Sequence, residues 1–141
     1  MSYDSNNVFA KILRGEIPAF KVYEDEHTLA FMDVMPQSDG HTLVIPKVTA
    51  SNLFEIQTDA LGRLIAATQR IAGAAQRAFN ADGVTIMQFN GAAAGQTVFH
   101  LHFHVIPRYE GTPLRSHARE MADAKLLAAH AEQLKQALAN A

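Results

Sequence analysis

The chain has 141 residues, 48% of them hydrophobic, and a formal net charge of −2, the size and composition of one globular domain with a real core. The balanced charge, with no basic block, argues against binding to a nucleic-acid backbone. Cysteine is absent, which removes disulfides and thiolate chemistry, and no apolar run reaches membrane length.

Met1 to Asn7 is polar and lacks the apolar centre of a signal peptide, so a cytoplasmic location is expected and residues 1–6 read as a frayed tail. Asn6 or Asn7 is placed to cap a short helix over Val8–Arg14, closed by Gly15 and kept from resuming by Pro18. Phe20–Glu24 and His27–Val34 read as a hairpin around the acidic Asp25-Glu26 turn. Met35–Gly40 is a loop, and His41–Ile45 is an apolar strand that Pro46 should end. The clearest helix is Asp59–Asn80, where Leu61, Leu64, Ile65, Thr68, Ile71, Ala72, Ala75 and Phe79 fall on one stripe and Thr58 or Asp59 is the expected cap. Val84–Phe89 reads as a strand, Gly91–Gly95 as a small-residue loop and Glu110–Pro113 as a turn. Ser116–Asn140 is a second helix with Met121, Leu127, Leu134 and Leu138 on its apolar side. Hairpin strands with helices between and after them predict an α+β fold, an antiparallel sheet covered on one face. No repeat or linker divides the chain, so residues 1–141 read as a single domain.

Three of the seven histidines fall within Gln96–Arg108, alternating with large apolar residues. That period belongs to a β-strand, on which His100, His102 and His104 share one face at roughly 7 Å spacing while Leu101, Phe103 and Val105 face a core. Pro107 cannot donate to a ladder and is expected to end the strand. Two functions fit such a row: a metal site, or nucleophilic and acid–base catalysis by imidazole. The loop just before it, Asn90–Thr97, has little bulk, so a ligand can approach its backbone amides as in an anion-binding nest. Together with Gln96, the Thr97 hydroxyl and the imidazoles, those amides can surround a phosphorus without a metal. His27, His117 and His130 read as solvated surface residues.

The segment His100-Leu101-His102-Phe103-His104-Val105-Ile106 resembles the histidine triad (HIT) signature of nucleotide hydrolases and transferases. Phe9–Pro18, Leu29–Pro36 and Gly40–Lys47 are similar to the family's preceding segments in order, so the resemblance spans residues 8–108; residues 109–141 carry no motif of it. It implies a HIT-like α+β protomer with a five-stranded antiparallel sheet, one long helix packed on it and a C-terminal helix, pairing as a homodimer into a larger sheet. It implies a purine nucleotide substrate, with a nucleoside phosphoramidate preferred and a dinucleoside polyphosphate as the alternative. A nucleotide-binding scaffold with vestigial turnover is the reading from another class. His102 falls where the family has its nucleophile, and His104 with the Gly95–Thr97 segment, including Gln96, where it binds phosphate oxygens. Asp33 matches the ribose-binding acid, Phe9, Phe31 and Val34 fall at the base pocket, and Thr97 falls near the leaving group. His100 is expected to be structural, hydrogen-bonded toward His41, itself expected as a satisfied strand-end residue supporting the site.

The chain also departs from the family. Many bacterial members hold a structural zinc, but the corresponding positions here are Asn7, Ala10, Thr49 and His100, and one remaining ligand cannot close a tetrahedral site. No metal and no cofactor are therefore expected. Relatives carry paired polar residues where this chain has Phe89-Asn90, so a phosphate contact from Asn90 depends on which of the two faces the site.

Overall fold

The computed structural model describes residues 2–116 and 120–140. Helix α1 spans Val8–Leu13, its end closed at Asn7, whose side chain accepts the Ala10 N–H. Strands β1 (Lys21–Glu24), β2 (Thr28–Met32) and β3 (Thr42–Pro46) follow, then the long helix α2 (Thr58–Ala78), strand β4 (Gly83–Met87), strand β5 (Phe103–Arg108) and helix α3 (Ala124–Ala139). The five strands form one sheet in the order β1-β2-β3-β5-β4, and every neighbouring pair is antiparallel. No helix among the described residues is long and apolar enough to cross a membrane.

The tight β1–β2 turn is built on Asp25, whose carboxylate accepts from the His27 and Thr28 amides and from the Thr28 and Tyr23 hydroxyls. Burial pushes that carboxyl up, but the four donors outweigh it and hold its pKa at about 2.

Strands β2 and β3 are buried along their whole length because both faces of the sheet are covered. Ala30, Met32 and Val44 pack under α2 and α3 with Leu64, Ile71, Leu127 and Leu134. Leu29, Phe31, Leu43 and Ile45 face the other way and are covered by Phe9 and Ile12 of α1. The expectation of a sheet covered on one face is thus corrected: α1, too short to read as a packing layer, closes the second face and becomes one wall of the cavity described below.

Other differences have local causes. Gln57, not Thr58 or Asp59, precedes the first turn of α2. Ile65 is 45% exposed although it falls within the apolar stripe, because the helix turns Ala67 and Ala74 inward instead. The C-terminal helix starts at Ala124, where Asp123 caps it, so Met121 lies ahead of it at 68% exposure. Strand β5 continues through Pro107, which pairs with Val84; β3 has already left the ladder at Val105, so a missing N–H can lie on that open side.

The two isoleucines of α2 separate the stripe that packs from the stripe that does not. Ile71→Ala should cost about 2–5 kcal/mol by leaving a cavity under the helix, and Ile65→Ala less than about 0.5 kcal/mol. Denaturant unfolding of both variants measures this, and equal losses would contradict the packing described.

Candidate functional site

The apolar alternation of the histidine stretch holds, with Leu101, Phe103 and Val105 in the helix-side core. The hydrogen-bonded ladder is shorter than the alternation. β3 pairs only as far as Phe103 and β4 only as far as His104, so His104 lies in β5 while His102 and His100 precede it. All three are buried, and the rings of His102 and His104 converge to 5.0 Å between centroids.

Backbone partners fix the proton on each ring, because a carbonyl only accepts and an amide only donates. His102 Nδ1 lies 2.7 Å from the His100 carbonyl oxygen, so Nδ1 carries the proton and the lone pair is on Nε2. The Gln37 amide donates to His41 Nδ1 at 3.0 Å, so His41 carries its proton on Nε2. That proton points to His104 Nδ1, 2.9 Å away, which places the His104 proton on Nε2. His100 donates from Nε2 to the Pro46 carbonyl at 2.8 Å and accepts at Nδ1 from the Tyr3 hydroxyl. The expected link between His100 and His41 is therefore corrected: His41 serves His104, and His100 is held by Tyr3 and Pro46. His41 reaches its place through the turn before it, where Gly40 has φ +89° and a Cβ would meet the Phe79 ring at 2.5 Å.

His102, His104, Asp33, Phe9, Phe31, Val34 and Thr97 line one cavity of about 320 Å³. Its walls are mostly apolar, with Ile12, Ile17 and Leu43 beside the two phenylalanines, whose rings meet edge to face at 5.4 Å. Phe9 also packs edge-on against His102 at 4.9 Å. Asp33 is 6% exposed; one oxygen accepts the Met35 amide at 2.9 Å and the other lies 3.4 Å from His41 Nε2.

The remaining expected residues lie outside the cavity lining. Asn90 accepts the Leu53 amide and exchanges hydrogen bonds with Gln88, while Phe89 turns inward, 5.6 Å from the His104 ring. The amides of Gly91, Ala94, Gly95 and Gln96 all bond within the loop itself, so the nest expected of these small residues is closed there. Gln96 is the staple: its side chain accepts from Gly91 and donates to the Ser51 and Val98 carbonyls. Gly95, at φ +102°, is the left-handed turn that lets the chain return to Thr97. Away from the site His27 is exposed, His130 packs edge-on against Phe79 at 5.3 Å, and His117 lies outside the described residues. Sequence reasoning missed Tyr3: a lone tyrosine in a polar segment carries no periodic signal.

Donor atoms of Asp33, His41 and His104 lie within 4.8 Å of one another, the one such grouping among the described residues. A tetrahedral ion with bonds of about 2.0–2.1 Å spreads its donors to about 3.3 Å. Here His41 and His104 are joined directly at 2.9 Å through a proton, so a cation would have to break that bond.

The HIT domain family model matches residues 14–111. The chain belongs to the HIT family. It is similar to Protein hit of Bacillus subtilis, 46% identical over 104 residues that cover 74% of this chain and 72% of that protein. A crystal structure of a Hit-like protein involved in cell-cycle regulation from Bartonella henselae superposes with a TM-score of 0.91 at 51% identity, covering 96% of this chain and 99% of that one. A hypothetical histidine triad nucleotide-binding protein from Sulfolobus tokodaii superposes at 0.87 with 33% identity, over 94% and 91% of the two chains. By kind, this HIT protein is a nucleotide-binding hydrolase or transferase.

The family's structural zinc does not fit this HIT chain. Ala10 offers no donor, the Asn7 side chain caps α1, and both ring nitrogens of His100 are in hydrogen bonds. Asn7 Nδ2 and His100 Nδ1 are instead joined through the Tyr3 hydroxyl.

Burial holds the His100 imidazole below its ordinary pKa, against the opposing pull of the Pro46 carbonyl. A base that protonates less readily folded than unfolded contributes stability above about pH 6.5 and loses it as the pH falls. Urea midpoints should therefore decline from about pH 7.5 to about pH 5, and His100→Gln should show a shallower decline. Identical slopes in both proteins would contradict the assignment.

Proposed function

We propose that the protein releases a small leaving group from the α-phosphorus of a purine nucleotide, a nucleoside phosphoramidate being the preferred substrate, through a covalent bond to His102. The observation that supports this is the opposite polarity of two adjacent imidazoles: a lone pair on His102 Nε2 and a proton on His104 Nε2. A neutral imidazole is a competent nucleophile near pH 7 and needs no separate base. His102 Nε2 attacks phosphorus as the P–N bond breaks and the nitrogen, taking a proton from solvent, departs as the amine; the ring keeps its Nδ1 proton on the His100 carbonyl, which stabilises the cationic ring of the intermediate. His104 donates to a phosphoryl oxygen as charge develops there. Water then attacks phosphorus, the P–Nε2 bond breaks to return neutral His102, and the water's proton passes to solvent as the nucleoside monophosphate leaves.

In this reading the base enters between Phe9, Phe31 and Val34, and Asp33 accepts from the ribose hydroxyls. Thr97, which lines both the cavity and a groove of about 600 Å³ on its far side, faces the leaving group. That groove disfavours dinucleoside polyphosphates, because it carries Asp4 and Glu55 and, among the described residues, no lysine or arginine against which a second set of phosphates would rest.

His102→Ala should abolish turnover of an AMP-amidate, and His104→Ala should slow it by roughly 10²–10³-fold, the usual effect of losing one transition-state donor. Turnover surviving in His102→Ala would contradict the reading. Asp33→Ala should raise KM with little change in kcat, since a charged hydrogen bond of about 1.5–3 kcal/mol to ribose is the same in ground and transition states. A kcat loss at constant KM would place Asp33 in the chemistry instead.

A homodimer belongs to the same proposal. β4 is an edge strand with Ile86 44% exposed, the kind of edge that a second copy covers. Sedimentation at micromolar concentration should give about twice the chain mass of 15.4 kDa, and a monomer would contradict it.

A further inference from the structure

His102 is oriented by a carbonyl that the sheet does not hold. The His100 carbonyl belongs to the segment before β5, where neither β3 nor β4 pairs with the chain. A backbone bond from the Leu101 amide to the Ala50 carbonyl at 2.8 Å ties the segment to the chain before α2. The plane of the His100 peptide is set as well by the His100 ring, which is clamped at both nitrogens. Nε2 donates to the Pro46 carbonyl, and Nδ1 accepts from the Tyr3 hydroxyl. Tyr3 is in turn oriented by the Asn7 side-chain amide, which donates to its oxygen at 2.9 Å and so directs the hydroxyl proton toward His100. Asn7 is fixed because the same side chain caps α1 and donates to the Asp4 carbonyl.

We propose that Tyr3 is a positioning residue for the nucleophile: its hydroxyl, aligned by Asn7, locks the His100 ring and thereby the carbonyl that keeps the His102 proton on Nδ1. The inference rests on the reading of His102 as nucleophile. Tyr3 is not among the residues lining the nucleotide cavity, so it acts on the orientation of His102 and not on nucleotide binding. Removing the hydroxyl leaves a buried acceptor on His100 without its donor. The ring and the carbonyl then relax, and His102 samples the tautomer with its proton on Nε2, in which the attacking lone pair is lost.

The test compares wild type with Tyr3→Phe, which keeps the ring and removes only the hydroxyl. Long-range ¹H–¹⁵N spectra of the histidine rings, recorded without substrate, read the tautomers directly. Wild type should show His100 protonated on Nε2 and His102 on Nδ1; in Tyr3→Phe the His102 signals should move toward a mixture. With AMP-amidate, kcat should fall about tenfold, an ordinary effect for a lost orienting hydrogen bond, while KM stays within about twofold. Asn7→Asp, which retains an oxygen to cap α1 but cannot donate to Tyr3, should reproduce part of both changes. Unmoved His102 signals in Tyr3→Phe, or moved signals with unchanged kcat, overturn the proposal. The spectra need no turnover, so failure of this link is distinguishable from failure of the nucleophile assignment, which the His102→Ala kinetics decide.

Discussion

A peptide carbonyl can only accept a hydrogen bond and a peptide amide can only donate one, and the chemistry of this site depends on that asymmetry. The His100 carbonyl and the Gln37 amide sit at the two ends of the cluster and leave one arrangement of protons for the rings between them. Both rings line the cavity, one with its lone pair on Nε2 and its neighbour with a proton on Nε2. Two histidines of identical composition thereby acquire opposite proton placements, one set by the His100 carbonyl and the other relayed from the Gln37 amide through His41.

The fold delivers those backbone groups by ending its ladders at the right places. β3 and β4 release the histidine segment at Phe103 and His104, so His104 is held in the sheet while the residues before it are free to bend and present a carbonyl to His102. On the opposite side the β2–β3 connection brings the Gln37 amide, Asp33 and His41 together, with Gly40 admitting the Phe79 ring beneath the turn. Helix α1 supplies the apolar wall that packs against the ring of His102. Sheet, turn and short helix each contribute one surface of a cavity sized for a nucleoside.

Much of this was legible in the residues, and the limits are physical. Period two around His100–His104 gave the two faces correctly, because core packing imposes the alternation even where no partner strand does. The same period could not say where the ladder starts, since pairing depends on the lengths of β3 and β4. The five strands and the long helix were readable from apolar spacing and turn residues, whereas the start of α3 was missed because Met121 was counted with Leu127, although a spacing of six residues does not put the two on one helix face. Asn90 was a candidate by resemblance, left open against Phe89; in the structure its side chain bonds Leu53 and Gln88, while Phe89 turns toward the His104 ring. Tyr3 left no trace, because a single long-range hydrogen bond has no pattern in sequence.

The central claim is that His102 Nε2 forms a bond to the substrate's phosphorus. Wild-type protein should be mixed with an AMP-amidate, quenched within the first turnover and digested under mildly basic conditions, which preserve a phosphorus–nitrogen bond. Mass spectrometry should then find a nucleotidyl mass on the peptide carrying residues 100–108, with fragmentation placing it on His102 and brief acid treatment removing it. A nucleotidyl group on another residue, or rapid turnover with no protein-bound nucleotide at any time, would contradict the account.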